Sequence, residues 1–387
     1  MIALHEYGPG AVREAIEACA GLKRLRPGDS VLIKPNLCLG GRIMRALPGA
    51  TTSARVVEEI IGLLRDCGAG EITIGEGTVE VPSMGSFTGS AFRDGGYLDL
   101  ARRYGVELVD FNAGPFTRRV FERRNMYIAK GALEHDFVVN APCLKTHIMT
   151  QVSLGLKNMK GVLKLACKRY FHRHELHRLI AGLNTFMPTD LVVVDGQLAM
   201  EFGPDSDQVK QAGVVLAGTD LLEVDTIGSR LLGIEPSEVE HLREFAALRR
   251  RRLDARIEVR GLDVEAAATP CRWRIDDEEA ELYHDLGVRG LSVAQDVPNT
   301  VCSGCRVALL SSLTRFAAHS ADTDLSGVEL IAGQNARCLG DALGLRVGDC
   351  AVKRELDPEN EISVGGCPPD IHEVYHSLLR AQALRER

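Results

Sequence analysis

The chain has 387 residues, 45% of them hydrophobic and 5% aromatic, and its 46 basic and 53 acidic residues give a net charge of -7. This length suits about two domains of roughly 150 residues each. The acidic balance, with few aromatic side chains and no long basic run, argues against nucleic acid as a partner. Residues 1–10 are too polar for a secretory signal and no apolar stretch reaches membrane-spanning length, so we expect a cytoplasmic protein without a membrane partner.

The first two hundred residues alternate between short apolar strands and helices. Strands are predicted at 29–36, 71–77, 106–111, 137–140 and 191–195. Residues 52–65 carry apolar side chains at helical spacing. Several strands are apolar without alternation, which is typical of a parallel sheet covered by helices. We therefore predict an α/β fold, with a mostly parallel sheet that has helices on both faces, followed by a smaller C-terminal cysteine-bearing α/β domain.

A charged helix is predicted at 235–252, and it ends in four arginines. Cations at a helix end complement the helix dipole, so we interpret this end as solvated and assign it no function. Pro270, Trp273 and an acidic run at 276–281 then lead towards the cysteines. The predicted domains are an α/β domain at 1–235, a helical and irregular connection at 236–295, and a cysteine-bearing domain at 296–387.

The most specific chemistry lies in that last segment. The chain has eleven cysteines, and Cys-Ser-Gly-Cys at 302–305 spaces two thiols so that a single turn can direct both at one metal centre. The Gly-Gly-Cys-Pro-Pro loop at 365–369 frames another cysteine with residues that allow close backbone approach and rigidity. We predict one 4Fe-4S cluster with the ligands Cys302, Cys305, Cys350 and Cys367, and with Cys338 in reserve. A thioredoxin-like pair or a zinc site is the alternative, although the former needs no outlying cysteines and zinc ribbons normally close with a second Cys-x-x-Cys.

A polar constellation follows the predicted strand 137–140. Its segments are Asn140–His147 and Gln151–Gly161. Lysines and a histidine after an apolar strand supply cations and donors suited to an anionic substrate or an enolate-like intermediate. Solvated surface lysines are the alternative, which the neighbouring proline, glycines and strand-end position weaken.

We assign roles to residues of this constellation and to residues at the ends of other predicted strands. The predicted catalytic residues are Lys145, His147, Lys157 and Asp195. The predicted cofactor-binding residues are Lys34, Asn36, Asn158 and Lys160. We expect these side chains to meet at the carboxyl edge of the sheet, with His147 as acid–base group and Lys157 as electrophile, cofactor anchor or anion clamp. Asp195 ends a strand and can orient a lysine or histidine, or alternatively cap a helix.

Five segments resemble, in order, the motifs of the iron–sulfur "domain of unknown function 362" family. They are Val31–Asn36, Pro142–His147, Leu156–Gly161, Val193–Gly196 and Asp220–Asp225. The later Cys-x-x-Cys, Gly-Asp-Cys-Ala and Gly-Cys-Pro-Pro elements resemble the cysteine-bearing tail of many members. This chain lacks the ferredoxin-type Cys-x-x-Cys-x-x-Cys insertion of other members, which argues against a two-cluster electron wire.

A more distant resemblance is to the lactate racemase family that uses a nickel-pincer nucleotide. In that family a histidine precedes the lysine that carries the cofactor, and a later histidine helps bind the metal. Here His147 precedes Lys157, and His172, His174 and His177 follow. His174 and His177 have the i, i+3 spacing of one helix face, which suits a second metal or an acid–base pair, with solvated histidines as the alternative.

Taken together, the sequence predicts an oxygen-sensitive 4Fe-4S enzyme, an oxidoreductase that acts on a small anionic substrate held by strand-end lysines and a histidine. The alternatives are a non-catalytic electron-transfer or cluster-carrier protein, and a racemase- or lyase-like enzyme with a bound metal cofactor. A ferredoxin-like electron donor and a homodimer remain open as partners.

Overall fold

The computed structural model describes residues 1–38, 40, 47–81, 85–204, 206–274, 287–294, 297–334, 342–352 and 360–385. Cys338 and the acidic run at 276–281 lie outside these residues. The chain divides into two compact units: Met1–Thr78 with Ser86–Trp273, and Val79–Gly85 with Arg274–Arg387. Residues 236–273 therefore lie within the first unit.

The strands follow one another along both units. In chain order they are β1 (Ile2–Glu6), β2 (Val31–Pro35), β3 (Ile72–Glu76), β4 (Glu80–Val81), β5 (Gly85–Ser86), β6 (Glu107–Asp110), β7 (Phe116–Phe121), β8 (Arg124–Ala129), β9 (Phe137–Ala141), β10 (Cys143–His147), β11 (Gln151–Val152), β12 (Leu191–Met200), β13 (Val209–Gly218), β14 (Val259–Gly261), β15 (Ser292–Val293), β16 (Val328–Ala332), β17 (Leu343–Val347) and β18 (Glu361–Val364).

The helices are interspersed with these strands. They are α1 (Ala11–Ala18), α2 (Ala54–Asp66), α3 (Thr88–Asp94), α4 (Tyr97–Tyr104), α5 (Gly155–Asn158), α6 (Leu165–Arg173), α7 (Leu176–Leu183), α8 (Leu221–Leu231), α9 (Glu240–Leu248), α10 (Val297–Thr300), α11 (Ser303–His319), α12 (Asp349–Val352) and α13 (Ile371–Arg385). Short 3-10 turns lie at Lys130–Ala132, Met159–Val162 and Pro236–Glu238.

One mixed sheet organises the first unit. Its strand order is β14-β1-β13-β12-β9-β2-β3-β6, and β10 pairs with β12 and β11. The pairs β2–β3, β2–β9, β3–β6, β9–β12 and β10–β12 are parallel, whereas β13 runs antiparallel to β1 and β12. The predicted mostly parallel sheet is confirmed.

Side chains of the central strands alternate between two cores. On β2, Leu32 joins one hydrophobic cluster, whereas Val31 and Ile33 join the other. The first cluster also contains apolar side chains of α7, α8 and α9, and the second contains those of α1, α2 and α4. Burial on both faces explains why the strands are apolar without alternation, since each buried aliphatic side chain contributes about 1.5–3 kcal/mol.

Helix α2 illustrates how local sequence sets an element. Ser53 caps it, because the Ser53 hydroxyl accepts a hydrogen bond from the backbone N–H of Val56 at 3.3 Å. The helix buries the apolar residues that predicted it. It ends before Gly68, whose φ of +79° suits glycine.

The continuous helix predicted for 235–252 was wrong. A 3-10 turn is followed by Val239 in an extended conformation, and only then does α9 begin. Arg250 has a φ of 52°, so the backbone has left the helical region before the last arginines. Arg251 forms ion pairs with Asp220 and Glu223.

The second unit has its own sheet and core. Its strands lie in the order β15-β16-β17-β18 and are parallel. Apolar side chains of α11 and α13 pack on this sheet, among them Phe316 and Leu378. The smaller C-terminal α/β unit of the prediction is therefore present. In the described part of the chain, no helix combines the length and apolar character needed to span a bilayer.

Candidate functional site

A buried ion pair lies at the carboxyl ends of β2 and β3. Lys34 Nζ lies 2.7 Å from Glu76 Oε2, and the two side chains are 0% and 3% exposed. Glu76 also accepts hydrogen bonds from the backbone N–H groups of Leu37 at 2.9 Å and Gly77 at 2.8 Å. The charge of Lys34 is thus compensated within the protein.

Asn158 and Asn140 connect this pair to α5. Asn158 Nδ2 donates to Asn140 Oδ1 at 2.8 Å and to the Lys34 carbonyl at 3.1 Å. Because Gly161 has no side chain, the 3-10 turn Met159–Val162 can lie close to Glu76. A Cβ atom at Gly161 would lie 2.1 Å from Glu76 Oε1. The predicted cofactor-binding residues Lys34 and Asn158 therefore belong to one buried network.

Asp225 of α8 holds the start of α5. Its carboxylate accepts hydrogen bonds from the backbone N–H groups of Gly155 and Leu156, each at 2.8 Å. Burial raises the pKa of Asp225 to about 7, and these two donors oppose the rise. Asp225 thereby fixes the helix that carries Lys157.

Lys145 lies on β10, two residues from Cys143 and two residues from His147. Its side chain is fully buried. Nζ donates to the Ala50 carbonyl at 3.0 Å and to Cys38 Sγ at 3.6 Å. Within the described residues, the Lys145 ammonium has no carboxylate partner.

Lys157 is the second buried lysine without a carboxylate among the described residues. It is 8% exposed, and its Nζ donates to Thr150 Oγ1 at 2.9 Å. Burial lowers the pKa of Lys157 well below its usual value of 10.5, and the charges of Lys160 and Lys145 lower it further. The neutral amine is therefore favoured at Lys157 relative to an exposed lysine.

His147 is held as a neutral imidazole. Its ring is 3% exposed, and Nδ1 accepts a hydrogen bond from the backbone N–H of Met149 at 3.0 Å. This contact assigns the ring proton to Nε2. Burial lowers the pKa of His147 well below 6.5, and the charge of Lys157 is the next largest cause.

Lys160 and His172 extend the cationic region. Lys160 Nζ lies 2.7 Å from His172 Nε2. Burial, followed by the charges of Lys160 and Lys157, lowers the pKa of His172 well below 6.5. His147 and Lys157 thus each lie within electrostatic range of Lys145 and Lys160.

Asp195 and Asn36 lie beside this group with other contacts. Asp195 Oδ2 accepts from the backbone N–H of Ser53 at 2.8 Å, at the start of α2, so the contact is that of the helix-capping alternative. Asn36 Nδ2 donates to Cys38 Sγ at 3.3 Å. Among the described residues, Asp195 makes no hydrogen bond to a lysine or histidine.

His174 and His177 belong to different structural elements. His174 follows the end of α6, where its ring lies against that of Tyr170, whereas His177 lies on α7. In this described segment the two histidines therefore do not share the single helix face that their spacing suggested. His177 stacks on His241 of α9 with ring centroids 5.8 Å apart. His241 is fully buried, and neither ring nitrogen has a hydrogen-bond partner in the described part of the chain.

Several residues of this region were assigned no role from the sequence. They are Cys38, Asn140, Thr150, Asp225 and His241. Asn140 ends an apolar strand and Asp225 lies in a motif segment, so both carried a signal. His241 carried none, because a single histidine on an amphipathic helix is unremarkable.

The predicted cluster cysteines are neighbours in the second unit. Cys302 directly precedes α11, Cys305 lies in its first turn, and a hydrogen bond joins their thiols. That bond, then burial, then the neighbouring Cys302, Cys367 and Cys350 raise the pKa of Cys305 well above its usual value. A Cβ atom at Gly348 would lie only 3.0 Å from Cys305 Sγ.

The loops that carry these cysteines are also tied together. Asp349 N–H donates to the Gly366 carbonyl at 2.9 Å, and Gly366 N–H donates to Asp349 Oδ1 at 2.6 Å. No three His, Cys, Asp or Glu side chains in the described ranges are spaced to hold a metal ion. The thiols therefore form a neighbourhood, while their role as ligands stays a prediction.

The fold and site define a class: a two-unit α/β protein with buried lysines and histidines at the carboxyl edge of its larger sheet and clustered cysteines in its smaller unit. The chain belongs to the family described as Domain of unknown function (DUF362), whose model matches residues 31–230, more than half of the chain. This match confirms the family resemblance of the sequence motifs.

The chain is also similar to individual proteins. It is 27% identical over 237 residues to a thylakoid-associated protein of Synechocystis sp.. This match covers 59% of this chain and 71% of that protein. Among solved structures it is similar to the lactate racemase apoprotein from Thermoanaerobacterium thermosaccharolyticum, with 13% identity and a TM-score of 0.37. That similarity covers 64% of this chain and 56% of the racemase chain.

Proposed function

We propose that the protein is an iron–sulfur-dependent enzyme, an oxidoreductase that acts on a small anionic substrate bound by Lys145 and Lys157. The observation that carries the proposal is the burial of these two lysines without carboxylate partners among the described residues.

Buried charges without counter-ions are unfavourable. Removing an ammonium from water costs several kcal/mol even after relaxation, unless an opposite charge compensates it. Lys34 has such a partner in Glu76, whereas the partners of Lys145 and Lys157 are a carbonyl, a thiol and a hydroxyl. A bound anion would supply the opposite charge that these contacts lack.

His147 suits charge stabilisation beside that anion. Its neutral ring carries a proton on Nε2, through which it can donate a hydrogen bond as negative charge develops on the substrate. Lys145 would hold the substrate's anionic group, because an ammonium in a dry site stabilises negative charge more strongly than in water.

The cysteine neighbourhood fits an iron–sulfur centre in its donor chemistry. Cys302, Cys305, Cys350 and Cys367 supply four thiols, and Gly348 leaves room for close approach at Cys305. A 4Fe-4S cluster would supply one-electron transfer or Lewis acidity. Cys338 remains the reserve ligand.

The test has two independent arms on the full chain prepared without oxygen. Iron and acid-labile sulfide, with spectra before and after dithionite, report the cluster. Calorimetric titration with oxalate reports the anion site, and Lys145→Met should weaken oxalate binding at least about tenfold, the loss of roughly 1.4 kcal/mol. Lys23→Met is the matched control, because Lys23 is exposed.

The outcomes separate the candidate functions. Iron together with Lys145-dependent oxalate binding supports the enzyme. Iron with equal oxalate binding in both variants contradicts it and favours an electron carrier. A protein without iron that binds oxalate through Lys145 contradicts the cluster and leaves the anion site standing.

A further inference from the structure

We propose that Lys157 is a nucleophilic amine that forms an imine with the carbonyl carbon of a 2-oxo acid. The inference rests on the proposed anion site and names its substrate class. It assigns the three buried lysines different tasks, which their contacts distinguish.

Lys157 is bonded in a way that leaves its nitrogen reactive. The Thr150 hydroxyl donates its own proton to the Val152 carbonyl at 3.0 Å, so towards Lys157 it acts as an acceptor. The Lys157 nitrogen therefore donates one N–H to Thr150, and its lone pair takes no part in that hydrogen bond.

The other lysines lack this arrangement. Lys34 is paired with the Glu76 carboxylate and also donates to the Pro35 carbonyl at 2.6 Å. Lys145 donates to a carbonyl and a thiol, both acceptors suited to an ammonium. Lys157, with a single neutral partner among the described residues, is the best placed to exist as a free amine.

The charges around Lys157 favour the free amine. Lys160 faces it from the next turn, Lys145 from β10, and Cys38 from the loop after β2. Both lysines lower the pKa of Lys157 after burial, and Cys38 opposes them. The surrounding histidines, His147, His172, His177 and His241, are held neutral by burial, and the charge of Lys157 lowers the pKa of each. Desolvation beside another cation is an established way to activate a lysine.

The proposed step balances without an oxidant or reductant. The Lys157 nitrogen attacks the carbonyl carbon, a C–N bond forms, and one amine proton passes to the carbonyl oxygen. The C–O bond then breaks, and the second amine proton passes to the departing oxygen, which leaves as water and gives the imine. His147 is suited to donate a hydrogen bond through Nε2–H to the oxygen as it departs, and Lys145 would bind the adjacent carboxylate.

Imine trapping tests this directly on the oxygen-free full chain. The protein is incubated at pH 7 with glyoxylate and sodium cyanoborohydride, which reduces an imine to a stable amine, and the modified lysine is located by peptide mass mapping. Lys157 should be labelled at least about tenfold faster than exposed lysines such as Lys23, since each unit by which its pKa is lowered raises the free-amine fraction tenfold. Oxalate, which carries no ketone or aldehyde, should protect it, and Lys157→Arg should remove the fast phase.

Mapping the wild-type protein keeps the test valid even if a variant folds poorly. Labelling spread over exposed lysines without enrichment at Lys157 would overturn the inference, as would fast labelling that oxalate does not slow. If oxalate binds through Lys145 while Lys157 stays unlabelled, the result supports the anion site and contradicts only imine formation. If oxalate does not bind through Lys145, the proposed substrate site itself is contradicted.

Discussion

The Lys34 ammonium lies 2.7 Å from the Glu76 carboxylate with both side chains almost fully buried, so each charge depends on the other for compensation. We expect Lys34→Met and Glu76→Gln each to lower the free energy of unfolding by about 3–5 kcal/mol, because each leaves a buried charge unpaired. Urea unfolding followed by the fluorescence of Trp273, the single tryptophan, reports the first unit.

The double variant and an exposed pair provide the controls for this prediction. Lys34→Met combined with Glu76→Gln should lose less than the sum of the single losses, and strict additivity would contradict the coupling. Arg102 and Asp99 are 75% and 72% exposed and 3.1 Å apart, so Arg102→Ala should change the free energy of unfolding by less than about 1 kcal/mol.

Asp225 is expected to matter for both stability and the proposed anion site. Asp225→Asn should lower the free energy of unfolding by about 1–3 kcal/mol, because an amide cannot accept from Gly155 and Leu156 as a carboxylate does. Since those bonds fix α5, oxalate affinity should fall as well. Asp220→Asn on the same helix is the control: asparagine remains a good cap, so oxalate affinity should stay unchanged. Equal oxalate affinities in the two variants would contradict the positioning role.

The elements were predictable wherever burial on both faces dictated the sequence. Strands β2, β3 and β9 stand out as apolar runs, and α2 follows from the spacing of its buried residues. The helix predicted for 235–252 failed because apolar periodicity does not register that Val239 is extended or that Arg250 is left-handed.

The site was harder to predict, because its partners are tertiary. The polar segments after an apolar strand indicate Lys145 and Lys157 as site residues, yet the absence of a carboxylate beside them in the described residues becomes visible only in three dimensions. Asp195 contacts Ser53, a residue 142 positions away, which no spacing rule predicts. Which of these residues performs chemistry stays a prediction.

Acid should destabilise the first unit through its buried histidines. Burial lowers the pKa of His241 and of His147 well below the unfolded value of 6.5. Between the folded and unfolded pKa values the unfolded state binds more protons, so the contribution is fully present above pH 6.5 and is lost as pH falls. Each histidine should cost up to about 1.4 kcal/mol per pH unit below that point.

His241→Phe tests this dependence. The loss of unfolding free energy between pH 7.5 and 5.5 should be smaller than in the wild type, because a buried imidazole no longer takes up a proton on unfolding. His174→Gln is the control, because His174 is exposed. The same pH slope in His241→Phe and the wild type would show that His241 does not contribute.

The cysteine neighbourhood makes the last prediction. Cys305→Ser and Cys367→Ser should each lose most of the iron and the broad visible absorption of the oxygen-free protein, because serine is a poor substitute for a thiolate ligand of iron. Cys67→Ser should retain both, since Cys67 is an exposed cysteine of the first unit. Comparing Cys350→Ser with Cys338→Ser then identifies the remaining ligand, because only the true ligand's loss removes iron. Full iron content in both Cys305→Ser and Cys367→Ser would contradict the cluster, and iron loss in Cys67→Ser would mean that the assay reports folding rather than ligation.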